Sequence, residues 1–316
     1  MPENLLITGA SGFIGTALVN RAIQKDYRVR AASRQLVTWP KDVESIQLHD
    51  LATMDWRLAL RDIHTVVHLA ARAHVPPNLS ACALTELRRL HVVGTLNLAR
   101  QAADAGVRRF VFMSSVKVHG ESTLPAQPYT IDDIPLPIDP YGVTKYEAEL
   151  NLKALADQSK LELVVIRPVL TYGPGVKGNF FTMMSWIYRG IPLPLGSINN
   201  RRSLVALDNL VDLVLTCLQH PAAANRTFLV SDDHDLSTTE LITMLASAMG
   251  RPARLFSVPP VLLRLGSMIF GKHAVSRRLV DSLHVDITNT RRVLGWVPPT
   301  SIGEGLQRTV EHFLRN

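Results

Sequence analysis

The feature of this sequence that most constrains its fold is an alternation of short apolar runs with longer helical stretches. Parallel strands need a crossover connection, usually a helix, so this alternation is typical of a parallel sheet with helices on both faces. Several runs are continuously apolar, as strands buried on both faces are. Strands are predicted at residues 5–8, 28–33, 45–48, 65–69, 109–114 and 161–167, and helices at 13–25, 84–105 and 141–158.

After Pro168 the regular rhythm loosens into proline-rich loops and helices, which are predicted at 207–219, 238–249 and 302–314. We therefore predict an α/β fold, a Rossmann-type doubly wound parallel sheet with a smaller, mostly helical C-terminal substrate-binding portion. The dinucleotide-binding domain is predicted over 1–168. The substrate-binding portion is predicted over 169–316, partly interleaved with the first.

A glycine-rich turn follows the first predicted strand and opens the first helix. Its glycines, Gly9, Gly12 and Gly15, have the spacing G-x-x-G-x-x-G. A side chain there would block the tight turn, the approach of a pyrophosphate to the helix N-terminus, and close packing of helix on strand. An isolated triad is also compatible with a plain structural turn. In this strand-to-helix context it predicts dinucleotide binding, with Phe13 and Ile14 beside the cofactor.

The end of the second predicted strand bears on which nicotinamide cofactor is bound. Chains that bind NAD usually place an acidic residue there for the ribose 2′-hydroxyl, whereas this chain has Ser33 and Arg34. No carboxylate repels a 2′-phosphate, and a guanidinium can pair with one. We therefore favour NADP(H) over NAD(H), with both residues at the cofactor. The alternative is that Arg34 points into solvent.

A tyrosine and a lysine four residues apart follow the proline-rich loop at the start of a predicted helix. This spacing puts Tyr141 and Lys145 on one helical face, where the ammonium can stabilise a phenolate. A phenol of pKa about 10 needs such a cation to work as an acid-base catalyst at neutral pH. The Y-x-x-x-K pattern is common by chance. It gains weight because residues 110–115 form a strand ending in two serines at the carboxyl edge, where open α/β sheets bind ligands.

These segments, in this order, resemble the extended short-chain dehydrogenase/reductase family, in its nucleotide-sugar epimerase, dehydratase and reductase branch. The resemblance covers nearly the whole chain. Within the branch the chain is similar to UDP-glucose 4-epimerases and, through residues 115–121 and 200–205, to bacterial O-antigen enzymes that reduce a UDP-4-keto-6-deoxy-N-acetylhexosamine. The motifs that carry the resemblance are the glycine turn, residues 62–71, 94–98, 114–115, Tyr141 with Lys145, 167–168 and 172–175.

The resemblance implies a role for each matching residue. Ser115 would bond the reacting sugar oxygen, Tyr141 would be the acid-base, and Lys145 would also hold the nicotinamide ribose. The implied cofactor contacts also include Asp50, Leu51, Leu69, Ala70, Ala71 and Pro168, and the implied substrate contacts are Ser115, Lys117, Asn179, Arg202 and Arg278. Asn179 has an alternative role as a helix cap, and the arginines have one as solvated surface.

Departures from the family pattern concern the substrate rather than the cofactor. His91 replaces a frequent asparagine, His119 replaces a tyrosine, and Leu170 occupies a position often held by a substrate-binding asparagine. We assign neither histidine a proton-transfer role, because a lone histidine is more often packed than catalytic. The dehydratases of this branch have two acidic residues directly after the catalytic serine or threonine. Here Val116 and Lys117 follow Ser115, so dehydration is disfavoured.

The predicted function is NADPH-dependent reduction of the C4 keto group of a UDP-4-keto-6-deoxy-N-acetylhexosamine in surface polysaccharide synthesis. Tyr141 would protonate the developing alkoxide while Ser115 bonds that oxygen. A second hypothesis is a UDP-hexose or UDP-N-acetylhexosamine 4-epimerase with tightly bound NAD, which needs almost the same residues. A third, from another class, is a non-catalytic dinucleotide sensor. Retention of Ser115, Tyr141 and Lys145 together argues against it.

Charge and cysteine content exclude other classes. The net charge is +7, but the basic residues are scattered and form no nucleic-acid-binding module, so anionic ligands explain the excess better. Cys82 and Cys217 are far apart, which predicts no metal site and no disulfide. No membrane span and no secretory signal are predicted, so we expect a cytoplasmic protein. By resemblance it would be a homodimer through the helices at 84–105 and 141–158.

Overall fold

The computed structural model describes residues 3–35, 37–40, 43–72, 81–124, 126–269, 277 and 279–315. Its strands are β1 (Asn4–Thr8), β2 (Arg28–Ser33), β3 (Val43–Gln47), β4 (Thr65–His68), β5 (Arg109–Met113), β6 (Glu162–Pro168), β7 (Leu170–Tyr172), β8 (Arg202–Ala206), β9 (Arg226–Val230) and β10 (Asp235–Leu236). Its helices are α1 (Phe13–Gln24), α2 (Ala81–Arg88), α3 (Thr95–Asp104), α4 (Pro140–Asp157), α5 (Gly178–Tyr188), α6 (Leu207–Gln219), α7 (Thr238–Ala248), α8 (Pro260–Ile269), α9 (Thr288–Leu294) and α10 (Ile302–Arg315).

Seven strands form one parallel sheet in the order β3-β2-β1-β4-β5-β6-β9. Leu5 of β1 pairs with Val29 on one side and Thr65 on the other, so the strand order reverses between β1 and β4. In a doubly wound sheet this reversal opens a crevice at the carboxyl ends of the strands, where ligands bind. The predicted Rossmann-type fold is confirmed.

Two strand arrangements were not predicted. The main sheet takes its seventh strand, β9, from beyond Pro168, where it pairs in parallel with β6. A second sheet has the order β10-β8-β7, with β7 parallel and β10 antiparallel to β8. These strands contain two to five residues, too few to display a hydrophobic period. Their pairing partners lie far away in sequence, so only the tertiary structure identifies them.

The predicted helix at 84–105 is interrupted. A π-helical segment, Arg89–Gly94, separates α2 from α3, and single π-helical turns inside helices are frequent at functional sites. A Cβ at Gly94 would lie 2.7 Å from the Cβ of Leu51. This segment therefore packs closely against the loop that follows β3, beside the crevice.

Three apolar cores hold these layers together. One lies between the main sheet and α1 with α6, a second covers the opposite face with α3 and α4, and a third fills the C-terminal lobe, which contains α5, α7 and α10. Phe13, at the start of α1, packs against both the first and the third cores. The C-terminal lobe is thereby joined to the glycine-rich turn. Among the described helices, none has the length and apolar character required to cross a bilayer.

Candidate active site

The glycine-rich turn fits a dinucleotide. Gly9 has a φ of +69°, and a Cβ there would lie 2.8 Å from the backbone nitrogen of Ala70. A Cβ on Gly15 would lie 2.2 Å from the carbonyl oxygen of Gly9, so α1 approaches the turn as closely as a glycine permits. No side chain caps the N-terminus of α1 after Gly12. Its first N–H groups can therefore receive a pyrophosphate, as the sequence predicts.

A buried histidine links the ends of the two central strands. The Nδ1 of His68 lies 2.7 Å from the hydroxyl of Thr8, and its Nε2 lies 2.9 Å from the hydroxyl of Thr95. Burial, and then the charge of Lys145, lowers the pKa of His68 to about 3. The ring is therefore neutral, and it fixes β1, β4 and α3 at the crevice. Sequence reasoning missed this role.

The remaining residues that are predicted to contact the cofactor lie along the carboxyl edge of the main sheet. Ser33 is buried and donates to the carbonyl of Gln35 at 2.6 Å, while Arg34 is exposed and makes no hydrogen bond to another described residue. The carboxylate of Asp50 is paired with the guanidinium of Arg89, which lowers the pKa of the carboxyl. The other predicted cofactor contacts are the buried Leu51 and Pro168, the half-buried Phe13, Ile14, Leu69 and Ala70, and the exposed Ala71.

Local chemistry fixes where helix α4 begins. Asp139 is its N-cap, and the carboxylate accepts a hydrogen bond from the N–H of Gly142 at 2.6 Å. Pro140 follows at the first helical position, where its missing donor costs nothing. A Cβ on Gly142 would lie 2.5 Å from the carbonyl oxygen of Lys117. This glycine therefore lets the start of α4 lie directly against the turn that contains Ser115.

Lys145 is buried on the face of α4 that looks toward the end of β5. Its Nζ donates to the carbonyl of Met113 at 2.7 Å and lies 4.4 Å from the ring centroid of Phe112 and 6.0 Å from that of Tyr141. Burial lowers the pKa of Lys145 to about 7, against an opposing effect of Glu149. The ammonium is thus held at the predicted place, with a charge that titrates near neutrality.

Tyr141 differs from the expectation in one respect. Burial, and then the charge of Asp139, raises the pKa of its phenol above the usual value of 10.0. We had expected Lys145 to lower this pKa. In the protein alone the lysine is 6.0 Å from the ring centroid and directs its Nζ to a backbone carbonyl, so desolvation dominates. The phenol therefore keeps its proton at neutral pH.

His91 holds the tyrosine ring from the π-helical segment. Its ring meets that of Tyr141 edge to face at 5.5 Å and 87°. The Nε2 accepts from the N–H of Arg72 at 3.0 Å, and the Nδ1 lies 2.8 Å from the hydroxyl of Thr144. Burial and then Lys145 lower the pKa of His91 to about 3, so the ring is a neutral bridge.

Ser115 caps the short turn Val116–Val118 that follows β5. Its Oγ accepts from the N–H of Lys117 at 3.2 Å, and the residue is half-buried beside α4. The Nζ of Lys117 pairs with the carboxylate of Asp139 and lies 3.5 Å from that of Glu121. The structure thus brings Ser115 to the start of α4. It gives Lys117 two carboxylate partners there.

A buried charge network under the site was not predicted. Arg167 donates to both carboxylate oxygens of Glu149, through Nε at 3.1 Å and Nη2 at 2.6 Å. The hydroxyl of Ser114 donates to the same carboxylate, and the Nη1 of Arg167 donates to the Nε2 of His119 at 2.9 Å. Glu149 lies one turn beyond Lys145 on α4. The spacing 141, 145, 149 was the signal that could have found it.

The predicted substrate residues are less closely grouped. Asn179 is the second residue of α5 and is exposed; the N-cap is Lys177, so the alternative role of Asn179 as a helix cap is wrong. The lysine precedes Gly178, and the helix begins one residue before the asparagine. Arg202 is half-buried in β8 and donates to the carbonyl of Asp281 at 3.2 Å. Arg278 lies outside the described residues.

Comparison with known proteins identifies the family. Residues 5–231 match the model of the NAD dependent epimerase/dehydratase family. The chain belongs to this family. It is therefore an enzyme of the extended short-chain dehydrogenase/reductase type, as the sequence motifs predicted, rather than a non-catalytic sensor.

Three proteins similar to this epimerase/dehydratase are named for diphosphate-linked sugars, two of them for UDP-glucose. A UDP-glucose 4-epimerase of Vibrio cholerae is 46% identical over 318 residues, covering 100% of this chain and 97% of that protein. An N-acetyl-alpha-D-glucosaminyl-diphospho-ditrans,octacis-undecaprenol 4-epimerase of Escherichia coli O157:H7 is 28% identical, with 99% and 96% covered. The solved structure of MoeE5 in complex with UDP-glucose and NAD has a TM-score of 0.80 at 28% identity, over 99% of both chains.

Proposed function

We propose that this enzyme is an NAD-dependent 4-epimerase of UDP-linked hexoses or N-acetylhexosamines. The observation that carries the proposal is the 46% identity, over the whole chain, to a UDP-glucose 4-epimerase. The placement of Ser115 beside the start of α4, with Tyr141 and Lys145 on that helix, supports it. A 4-epimerase has to oxidise and then reduce the same carbon, so one acid-base group must accept a proton and return it.

The residues of the site suit both halves of this reaction. Bound NAD would supply the hydride acceptor for the first half and the donor for the second. Tyr141 would take the proton of the C4 hydroxyl and later return it to the oxygen of the keto sugar, while Ser115 donates to that oxygen. A phenol whose pKa is raised by burial holds the proton that the second half needs. In the first half the cation of Lys145 would stabilise the phenolate.

NAD now replaces NADP as our favoured cofactor. The similar structure named above contains NAD. NAD and NADP share a pyrophosphate. The N–H groups at the start of α1, which no side chain caps, and the tight turn at Gly9 and Gly15 support its binding.

The C-terminal lobe is proposed to bind the nucleotide. Arg202 would pair with the diphosphate, and Asn179, Lys117 and Arg278 are further proposed contacts. For Lys117 such a contact would require that the ammonium share its pairing with Asp139.

We further propose a homodimer formed through α3, α4 and the π-helical segment between α2 and α3. Exposed Val93 and Leu150 on these elements support it. Light scattering of the purified enzyme should give twice the mass of one chain, and a monomeric mass would exclude this interface.

The test measures how much cofactor is oxidised or reduced for each product formed. Purified enzyme is incubated with UDP-glucose or UDP-N-acetylglucosamine and NAD, and the C4 configuration of the product is followed by NMR. We expect the two C4 epimers to interconvert with no net change in absorbance of the nicotinamide. Accumulation of one NADH per product would contradict epimerisation.

Reduction of a 4-keto sugar is the second candidate, and one observation favours it. The end of β2 has no carboxylate, and Arg34 is free in the described structure to approach a 2′-phosphate. This candidate predicts net oxidation of NADPH by a UDP-4-keto-6-deoxy-N-acetylhexosamine, with a clear preference over NADH. The same assay with that substrate separates the two reactions.

A further inference from the structure

The charges of this chain are unevenly distributed. Residues 163–207 and 241–280 contain 11 of the 34 basic residues and none of the 27 acidic ones. The rest of the chain has 23 basic and 27 acidic residues, so the whole positive excess comes from these two segments. No run of cations marks them, because the asymmetry comes from the absence of carboxylates. It is therefore easily overlooked in the sequence.

The two segments fold together. Leu193 and Leu255 form a bridge between them, and the Nη1 of Arg254 donates to the carbonyl of Gly190 at 3.3 Å. The guanidinium of Arg251 lies 4.5 Å from the ring centroid of Tyr188, at the end of α5. Both arginines are exposed. The surface that these two segments form therefore carries exposed cations and no carboxylate of its own.

Helix α8 adds an exposed apolar face to this basic lobe. Leu263 packs against the third core, while Val261, Leu262 and Leu265 on the other side are 62%, 57% and 52% exposed. Their spacing places them within about 100° of one another around the helix axis. Single exposed aliphatic residues are ordinary, but a group on one helical face indicates an interaction surface.

One cation and an aromatic ring border this face. Arg264 lies next to it on α8, with its side chain 55% exposed and its guanidinium donating to Asp281 at 2.7 Å. Half-exposed Phe256 precedes the helix. Asp281 is the first carboxylate after Glu240 in the sequence. We call the group Phe256, Val261, Leu262, Arg264 and Leu265 the α8 surface.

We propose that the α8 surface docks onto the headgroup region of an anionic phospholipid bilayer. A helix with an aliphatic face beside an exposed arginine, in a segment without carboxylates, has the composition of helices that lie in the plane of a membrane interface. The aliphatic side chains would enter the acyl boundary, and the exposed arginines would pair with anionic headgroups. The chain would then be a peripheral enzyme held reversibly at a membrane.

Two other classes of partner fit the surface less well. Nucleic acid would call for stacking aromatic rings and closely spaced cations, whereas three of the five residues here are aliphatic. A second copy of the chain would leave the basic excess of the two lobes facing each other, which is unfavourable. Charge complementarity therefore selects an anionic surface. The proposal does not depend on which sugar reaction the enzyme catalyses.

The test is co-sedimentation of the full-length enzyme with vesicles of phosphatidylcholine alone and of phosphatidylcholine with phosphatidylglycerol. We expect binding to the anionic vesicles, weakened by salt, and at least a tenfold loss of binding in the variant Val261→Glu/Leu265→Glu. The matched control is Leu58→Glu, since Leu58 is 83% exposed and lies in the loop before β4. It should bind as the unmodified enzyme does.

Activity and mass measurements make the outcome decisive. All three proteins should turn over soluble substrate at the same rate and have the same mass in solution, which shows that they are folded. Absence of binding to anionic vesicles would overturn the proposal, as would equal binding by the double variant. A change of oligomeric mass in the double variant would instead identify the α8 surface as a contact between chains.

Discussion

Two buried carboxylates, one in each part of the molecule, are neutralised by different means. On α4, Glu149 is held by the guanidinium of Arg167 at 2.6 and 3.1 Å, and Lys145 lies one turn away on the same helix. Each member of this group is nearly or fully buried. The charge of the carboxylate is therefore balanced by the full positive charge of Arg167.

At the junction with the C-terminal lobe, Asp232 has neutral partners among the described residues. It accepts from the hydroxyl of Tyr172 at 2.8 Å, the amide of Asn209 at 2.7 Å and the N–H of Ala206 at 2.8 Å. Burial raises the pKa of this carboxyl, and burial with the nearby carboxylate raises that of Tyr172. These hydrogen bonds join β7, β8 and α6 to Asp232, which lies just after β9.

The difference follows from what each region has to do. The catalytic edge must hold the ammonium of Lys145 away from water, and a nearby carboxylate offsets part of its desolvation. The junction has only to fix strands and helices in place. Neutral donors suffice there, because a hydrogen-bonded carboxylate is stabilised without a second buried charge.

Removing the phenol tests the catalytic side of this comparison with the largest expected effect. Tyr141→Phe should lower kcat by about 10²–10⁴-fold, because proton transfer to and from the sugar oxygen is lost. Affinity for NAD, measured by titration calorimetry, should change little. Tyr146→Phe on the same helix is the control and should keep its rate. A Tyr141→Phe variant with most of its activity would exclude the assigned role.

Removing the charge of each buried carboxylate compares the two regions directly. Glu149→Gln leaves Arg167 buried without its counterion, which should cost about 3–5 kcal/mol of unfolding free energy. Asp232→Asn leaves no unpaired charge, so a smaller loss of about 1–3 kcal/mol is expected. Urea unfolding followed by circular dichroism measures both. Equal losses would show that the charge of Arg167 does not distinguish the regions.

Matched glycine substitutions compare the turn with the C-terminal lobe. Gly15→Ala places a Cβ 2.2 Å from the backbone oxygen of Gly9, so we expect a loss of about 1–3 kcal/mol and weaker NAD binding. Gly303→Ala, in α10, meets nothing within 4 Å and should stabilise the helix by about 0.5–1 kcal/mol. Thermal melts with and without NAD check both. Unchanged NAD affinity in Gly15→Ala would contradict the fit of the turn to a pyrophosphate.

The smallest expected effect on stability at pH 7 is that of His91, whose buried ring is uncharged. The pKa of His91 is about 3 in the folded protein and 6.5 in the unfolded chain, so only the unfolded chain binds its proton between these values. Stability therefore falls as pH drops below 6.5, by roughly 1.4 kcal/mol per pH unit well inside that window.

Asparagine at this position cannot titrate, so His91→Asn should lose less stability between pH 7 and 5. Urea midpoints at pH 7, 6 and 5 measure the slope, with exposed His49→Asn as the control. A slope equal to that of the unmodified enzyme would contradict burial of a neutral ring.

Prediction from sequence succeeded where a structure is local. The helices at 13–25, 141–158 and 207–219 agree with α1, α4 and α6 to within one residue at each end. The glycine turn and the shared helical face of Tyr141 and Lys145 follow from backbone geometry alone. Sequence reasoning did not predict features whose interaction partners are distant in sequence. These are strand β9, the three-stranded sheet, and the pairing of Glu149 with Arg167, which lies 18 residues away on the next strand.

The sequence by itself determined the doubly wound sheet, the glycine turn and the shared helical face of Tyr141 and Lys145, because helical spacing and glycine requirements are properties of adjacent residues. Tertiary structure alone decided the electrostatics. The same phenol has a raised rather than a lowered pKa because burial outweighs a lysine 6.0 Å from its ring centroid. It also brought parts of two carboxylate-free segments into contact, and desolvation and long-range charge depend on what packs together in space.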